Sequence, residues 1–415
     1  MIFAGIFIFL ILVYLLYTRT GTGGLGKIFF PALLFKLLCG IGVGVIYFEH
    51  YRAGDTITFD RAANLVVQNI GPAIRHWPAF LLFSDLSFID SDLPHVLQES
   101  RSLFFVKMLS IVYLFTGQSY WLSSLFFSLV SFTGGWFLVR TISRIRPDLK
   151  SGAIVAFLFF PPVMFWSSGI LKDSVAFACL AGLAGILIRV NHLKEFRWQW
   201  IGGGIVLFMV LWAIKYHYAA VLLLSVTAVG LYRLIFYRFR VKPGSVWFLC
   251  SMILIILLFS TFHPNFRLGS VIEVMAANQA AIIGASRAGS HVEFLPLGTG
   301  WIHFLVNLPV SLFAGMYMPL PWQGAGILPK IAGIFNLMVL LFTLFRVFKD
   351  GIKLKDRDAW QWILAVYLLI LAITIAYSSP NFGTLERYKT GYLPFFLLWV
   401  FSDERLLKFI KSKFW

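Results

Sequence analysis

Long stretches of this chain contain almost no charged residue, and this feature constrains the fold more than any other. Residues 4–17 carry no charge, and runs such as 205–214 and 331–345 are apolar with few polar breaks. In a bilayer every backbone N–H and C=O must find a partner within the protein, so only helices and closed barrels can span it. A barrel would show alternation over about ten residues instead of continuous apolar runs. The sequence therefore predicts an all-α polytopic membrane protein.

The charged residues support this class and indicate an orientation. Only 13% of the chain is charged, against about 25% in soluble domains, and the mean hydropathy is +0.83. The formal net charge of +17 does not indicate nucleic-acid binding, because the basic residues fall in short clusters between apolar runs. Such clusters are typical of cytoplasmic loops. They lie within residues 19–27, 140–150, 189–197, 233–242, 346–357 and 405–413.

With the N-terminus outside, the clusters predict about eleven transmembrane helices and a cytoplasmic C-terminus. Residues 1–27 are expected to form an additional N-terminal helix and linker, retained because no basic segment precedes the apolar run. Residues 28–403 are the predicted transmembrane domain, and residues 404–415 are a basic cytoplasmic tail. The predicted helices cover 2–18, 28–48, 119–140, 151–167, 171–189, 201–214, 217–235, 245–262, 327–348, 359–377 and 391–403.

Three segments are predicted on the outer face: 49–118, 263–326 and 378–390. Ser102–Thr116 is apolar enough to span, but a span there would place the basic cluster at 140–150 outside. It is therefore predicted to be an amphipathic helix on the outer membrane surface, with Lys107 exposed. Ile302–Met318 is interpreted in the same way, because prolines interrupt it and its surroundings. Function is expected on this face.

An acidic segment lies between the second and third predicted helices. The stretch from Glu49 to Glu99 holds seven of the chain's 18 acidic residues. Asp55 and Asp60 would point about 140° apart in a helix, but a turn starting at Gly54 would bring them together. We predict that Asp55 is a general base and that Asp60 is the weaker second acid. The alternative makes Asp55 the N-cap of an interfacial helix.

Two further polar groups follow at predicted outer helix ends. Lys172 and Asp173 come after the turn Ser167-Ser168-Gly169. Lys172 is a candidate for contact with a phosphate or with the Asp55 site, and Asp173 is a candidate for binding a sugar. The alternative is a helix start in which Asp173 favours the dipole. Lys215 and His217 are candidates for phosphate or hydroxyl binding. Interfacial anchoring by this Lys and its tyrosine neighbours is the favoured alternative.

The last segment predicted on the outer face, 378–390, contains cations, although basic residues are typical of cytoplasmic loops. Arg387 and Lys389 are candidates for binding a lipid-linked phosphate, with Tyr388 next to a sugar. The alternative is an ion pair of Arg387 with Glu386 or with Asp55. Trp322, which follows Pro319-Leu320-Pro321, is a candidate for sugar stacking or for membrane anchoring.

In their order these motifs resemble those of the GT-C superfamily of integral-membrane glycosyltransferases, such as protein O-mannosyltransferases and the aminoarabinose transferases of lipid A. That family has an acidic first outer loop, a juxtamembrane helix, a turn between later helices and an Arg-Tyr segment near the end. The resemblance covers roughly residues 28–403. The matching motifs are Gly54-Asp55-Thr56 with Phe59, Phe115-Thr116-Gly117, Pro162…Trp166-Ser167-Ser168-Gly169, and Arg387-Tyr388 with Pro394.

The resemblance implies sugar transfer from a polyprenyl-phosphate donor to an acceptor at the outer face of a bacterial inner membrane. Asp55 would deprotonate the acceptor hydroxyl, and Arg387, Lys389 and Lys172 would stabilise the leaving phosphate. No metal or other cofactor is expected, since the phosphate leaves readily and no metal-ligand set is evident.

Two other functions stay open. A polysaccharide polymerase or ligase acting on undecaprenyl-linked glycans would use similar outer cations. A transporter would need ionisable residues at mid-membrane and broken helices, for which Lys36 is the main candidate.

Overall fold

The computed structural model describes residues 1–21, 24–71, 76–89, 94–193, 198–239, 245–262, 267–298, 300–324, 326–350 and 359–402. Over these ranges the chain is helical and has no strand, with one isolated bridge between His291 and Asn381. The predicted tail at 404–415 lies outside them. The chain divides into two compact units. The first comprises Met1–Val190, Lys194–Tyr216 and Ser402–Trp415, and the second comprises Asn191–Leu193 and His217–Phe401.

The first unit contains the helices that precede residue 217. Three of them continue into a π-helical turn, at Tyr17–Gly21, Ile46–Tyr51 and Val155–Phe159. The helices are α1 (Ile2–Leu16), α2 (Gly26–Val45), α3 (Asp55–Ile70), α4 (His76–Phe83), α5 (His95–Gln98), α6 (Ser100–Thr116), α7 (Tyr120–Ile145), α8 (Lys150–Ile154), α9 (Pro161–Trp166), α10 (Lys172–Leu193) and α11 (Trp198–Phe239), the last two of which extend into the second unit.

The second unit is built mainly around α17, which packs against α13 and α15. Buried tyrosines in this unit donate hydrogen bonds to backbone carbonyls. For example, the Tyr392 hydroxyl donates to Gly315 O at 2.8 Å. Beyond α11 its helices are α12 (Ser245–Phe262), α13 (Leu268–Ala285), α14 (Gly300–Val306), α15 (Leu308–Tyr317), α16 (Ile327–Asp350), α17 (Ala359–Ser378), α18 (Phe382–Lys389) and α19 (Leu393–Val400).

Six helices in the described ranges are long and apolar enough to cross a bilayer. This agrees with the predicted class of helical membrane protein, whereas the number eleven stays a prediction. Shorter apolar helices lie at Gly269–Ala285, Leu308–Tyr317 and Trp362–Ser378. The six candidate spans are Ile2–Gly21, Gly26–Tyr51, Tyr120–Ile145, Lys172–His192, Trp198–Ile235 and Ile327–Lys349.

Small residues let α2 and α7 approach closely in the first unit. Gly40 faces Ser124 and Ser128, and the Ser124 hydroxyl donates to Gly40 O at 3.0 Å. Lipid does not drive helices together as water does, so membrane interfaces rely on small side chains and hydrogen bonds of this kind. A second contact joins α2 and α3 to the residue before α10, through buried Val43, Ile57 and Leu171.

The prediction of one helix over 151–167 is wrong in detail. The segment consists of α8, a π-helical turn and α9, with Phe160 in an extended conformation between them. Pro161 follows, and a proline disfavours helical geometry in the residue before it. The same proline fits the first turn of α9, where its missing N–H is not needed.

The predicted break between 214 and 217 is a kink rather than a loop. Helix α11 runs through it, and Lys215 alone has non-helical dihedrals, with φ −138° and ψ 69°. Full helical geometry over 42 residues would extend about 63 Å, twice the thickness of a hydrocarbon core. The division between the two units falls one residue later, between Tyr216 and His217.

Two of the segments predicted to lie on the outer face differ from expectation. Helix α6 forms where a surface helix was predicted, but it packs against α1, α3 and α7 and buries Phe105, Leu109 and Tyr113. The segment 263–326 also holds α13, which was not predicted. The predicted interruption near Pro309 is confirmed, since α14 ends at Val306 and α15 begins at Leu308.

Gly134 on α7 provides a test of the packing in the first unit. A Cβ atom there would lie 2.6 Å from Ala178 Cα on α10, so Gly134→Ala should destabilise the protein by about 1–3 kcal/mol through overpacking. Gly203→Ala is the matched control, because a Cβ at that position on α11 meets nothing within 4 Å. The control should be neutral or stabilising, since alanine favours the helix by roughly 0.5–1 kcal/mol. Thermal unfolding in detergent measures both, and equal midpoints would contradict the close approach.

Candidate functional site

Asp55 is the first residue of α3, and its position depends on Gly54. Gly54 has φ +119°, a backbone conformation that residues with a side chain rarely adopt. A Cβ atom there would lie 2.6 Å from the Tyr47 ring. Gly54, not Asp55, is the N-cap, so the N-cap alternative is wrong by one residue. A carboxylate in the first turn is stabilised by the partial positive charge of the helix N-terminus. Asp55 is therefore held in the first turn of α3, at the N-terminal end of the helix.

Asp60 faces a different set of partners on the same helix. Its Oδ1 accepts a hydrogen bond from the Tyr113 hydroxyl and one of 3.2 Å from Asn64. Burial raises the pKa of Asp60 above its usual value, and the two donors oppose this shift. One turn away, Thr56 and Tyr120 share a hydrogen bond of 2.8 Å.

The structure does not bring Asp55 and Asp60 together. The expectation of a turn between them is wrong, because both lie within α3, about 140° apart around its axis. Asp55 instead shares a face with Phe59, which lies four residues further along the helix. Helix α3 therefore has one face on which Asp60 contacts Tyr113 and another face that carries Asp55 and Phe59.

Lys172 lies over the Phe59 ring. Its ammonium is 5.3 Å from the ring centroid, donates to Ser102 Oγ at 2.7 Å, and lies 3.7 Å from Glu99 Oε2. The Ser102 hydroxyl in turn donates to Glu99, and this bond, followed by the charge of Lys172, lowers the pKa of Glu99. The Lys172 side chain is 14% exposed, so the cation is largely desolvated while remaining accessible. Lys172, predicted to lie against a phosphate or the Asp55 site, thus lies over Phe59 on the face of α3 that also carries Asp55.

Sequence reasoning missed Glu99 and Ser102 as the partners of Lys172. The signal was the polar run from Glu99 to Ser102 immediately before an apolar helix. Arg101, the cation within this run, lies over the Tyr216 ring at 4.3 Å. Tyr113, the partner of Asp60, was hidden in a helix interpreted as a surface element.

Asp173 and Lys215 form a buried ion pair. Their charged atoms are 3.0 Å apart, and the side chains are 0% and 6% exposed. Lys215 is also the residue at the kink of α11, so the pair fastens the start of α10 to that kink. A cation engaged in this way is less suited to the predicted phosphate contact than Lys172 is. We therefore interpret the pair as structural.

The second unit holds the remaining predicted site residues. Lys389 and Glu386 form a buried pair of 2.7 Å, and Asn336 donates to Glu386 at 2.7 Å while Lys389 also donates to Met318 O. Burial lowers the pKa of Lys389, and Glu386 opposes the shift. The ammonium of Lys389 therefore already has partners within the protein. Glu386, which the alternative interpretation offered as a partner of Arg387, pairs with Lys389.

Arg387 and its neighbours form a more open arrangement. The Arg387 guanidinium lies 5.4 Å from the Tyr388 ring centroid, and the His217 ring lies 6.1 Å from the same ring. The Tyr218 hydroxyl donates to Tyr388 O at 2.8 Å, which ties α11 to the end of α18. Trp322 is 71% exposed. Because Asp55 belongs to the first unit and Arg387 to the second, a shared site for them stays a prediction.

Comparison of the chain with protein-family models, with curated proteins and with solved structures finds no match. Within the described residues, no three His, Cys, Asp or Glu side chains are grouped closely enough to hold a metal ion.

The Asp60–Tyr113 contact predicts a pH-dependent loss of stability. Tyr113→Phe removes a donor to the ionised carboxylate, so the pKa of Asp60 should rise further and the folded state should bind its proton more tightly. At pH values above that pKa, the variant should lose about 1.5–3 kcal/mol of the free energy of unfolding. This loss should shrink as the pH falls through the pKa. Thermal unfolding across pH measures this.

Tyr120→Phe is the matched control for this experiment. It breaks the neutral contact with Thr56, so its loss of about 1 kcal/mol should change little with pH. Parallel stability–pH curves for the two variants would contradict the proposed titration of Asp60.

Proposed function

We propose that this chain is a GT-C-like glycosyltransferase that moves a sugar from a polyprenyl-phosphate donor to an acceptor hydroxyl at a membrane surface. The observation that carries the proposal is the position of Lys172 over Phe59, one helical turn from Asp55 on the same face of α3. A carboxylate base and a desolvated cation at the same helix face would provide the proton acceptor and the charge stabilisation that displacement of a phosphate by a hydroxyl requires. The order of the sequence motifs, which resembles that of GT-C glycosyltransferases, also supports the proposal.

In the proposed reaction Asp55 accepts the proton of the acceptor hydroxyl as its oxygen attacks the anomeric carbon of the sugar. The bond between that carbon and the donor phosphate oxygen breaks, and the phosphate leaves with the electron pair. Lys172 stabilises the charge that develops on this oxygen. Glu99 and Ser102 hold the ammonium in place, so little reorganisation is needed at the moment of reaction.

An apolar groove in the first unit supports a lipid-linked donor. It has a volume of about 390 Å³ and is lined by Ile2 and Ile6 on α1, Ile41 on α2, and Trp121 and Leu125 on α7. A polyprenyl chain offers the apolar surface that such a lining would bury. The groove lies beside the end of α2, from which the chain continues to Asp55.

Transport is the second candidate, and one specific observation favours it. Lys36 is fully buried in a candidate span and contacts the broken segment between α8 and α10. Discontinuous helices with an ionisable residue near mid-membrane are typical of transporters. Transport predicts movement of a polyprenyl-phosphate sugar across a vesicle membrane without cleavage of the sugar–phosphate bond.

Removal of the base should distinguish transfer from transport. Asp55→Asn should lower sugar transfer by about 10²- to 10⁴-fold, the usual contribution of a general base, and Lys172→Met by about 10²- to 10³-fold through loss of charge stabilisation. The assay is release of undecaprenyl phosphate from a panel of undecaprenyl-phosphate hexoses by the full chain in vesicles.

Asp148→Asn is the matched control, because Asp148 pairs with Arg146 at an exposed position between α7 and α8. It should retain wild-type transfer. Full activity of Asp55→Asn would overturn the assignment of the base. Donor movement across the membrane without any cleavage by the wild-type protein would favour transport instead.

A further inference from the structure

Lys36 is a buried cation in the candidate span Gly26–Tyr51. It is 0% exposed, and its ammonium donates to Ser167 Oγ at 2.5 Å, with Met164 O at 3.5 Å and the Phe177 ring centroid at 4.8 Å. Within the described part of the chain no carboxylate pairs with it. A lysine at the centre of a membrane helix costs about 2.5–3.5 kcal/mol by insertion scales, and such a residue by default indicates a function.

The acceptors of Lys36 lie at the C-terminal end of α9. This helix ends at Trp166, so its last carbonyls lack partners within the helix. The Ser167 hydroxyl donates to Val163 O, and the Ser168 hydroxyl donates to Met164 O at 2.6 Å. The C-terminal end of a helix carries partial negative charge, which favours a cation beside it. Lys36 thus completes the cap of α9 from the neighbouring helix α2.

The capped end continues directly into the turn that precedes Lys172. Gly169 has φ +72°, and its N–H donates to Ser128 Oγ on α7 at 2.9 Å. Leu171 then packs into the contact between α2 and α3. The turn is held from α2 through Ser167 and from α7 through Gly169, and it ends at Lys172. The turn therefore connects Ser167 to Lys172 over five residues.

We propose that Lys36 is a positioning residue that sets the place of Lys172 by capping α9. It contacts neither Asp55 nor the groove, and it acts through Ser167 and the turn. The consequence for catalysis depends on the proposed function, but the effect on Lys172 does not. The positioning role of Lys36 and the proposed transferase function can therefore be disproved independently.

The test measures the environment of Lys172 directly. The folded full chain in detergent is labelled with a water-soluble amine-reactive ester, and the rate at Lys172 is read by mass spectrometry. Lys36→Met should raise this rate at least about twofold, the lower end expected for residues in one network. Ser167→Ala should act in the same direction, and the double variant should add little to either single change, because both break the same connection.

Lys107→Met is the matched control. Lys107 also donates to a serine hydroxyl and a carbonyl, on Ser84 and Leu81, but it does not touch the turn. The Lys107→Met variant should show the wild-type rate of labelling at Lys172, even if the variant unfolds at a lower temperature. If Lys36→Met does not accumulate, Ser167→Ala carries the test.

Two results would overturn the inference. One is labelling of Lys172 that stays at the wild-type rate in folded Lys36→Met or Ser167→Ala, which would leave Lys36 a purely structural role. The other is additive effects in the double variant. For the same preparations, Lys36→Met should lower kcat of transfer more than it changes KM for the donor. Absence of transfer in the wild-type protein would count against the proposed function alone.

Discussion

In a bilayer, polar groups must find their partners inside the protein, and this constraint organises the structure. In the first unit the constraint falls most heavily on the segment between Phe160 and Lys172, where the helix is broken twice. Hydroxyl groups of Ser167 and Ser168 satisfy the carbonyls of α9, and Lys36 joins them from α2. The proposed positioning of Lys172 by Lys36 depends on this irregular segment, whose polar groups are satisfied within the protein.

Pairing of charges separates structural polar groups from candidate functional ones. Asp173 with Lys215 and Glu386 with Lys389 are buried pairs whose charges are already compensated. Breaking such a pair leaves an uncompensated buried charge, which is strongly destabilising. Lys172 differs, because its partner Glu99 is 46% exposed and its own side chain remains accessible. A partly exposed, preorganised cation is better placed than a buried one to meet an incoming phosphate.

Much of the fold could be predicted from the apolar runs. Helices α1, α2, α7, α10, α16 and α17 lie close to their predicted positions, since each long run must become a helix in lipid. Helix α13 and the packed position of α6 could not be predicted in this way. Their apolar residues are compatible with lipid, interface or protein core, and periodicity alone does not distinguish among these environments. The break at Phe160 carried a signal in Pro161, which the apolar character of the run concealed.

For the candidate site, the amino-acid sequence was enough to show that the chain is a helical membrane protein and that acids and cations gather near helix ends. It was enough because lipid penalises charge wherever it occurs. Which of these groups come into contact follows from the packing of the helices. This packing places Asp60 against Tyr113, Lys172 over Phe59 and Lys36 beneath α9. These contacts join residues from 53 to 131 positions apart, and such pairings depend on helix packing rather than on local pattern.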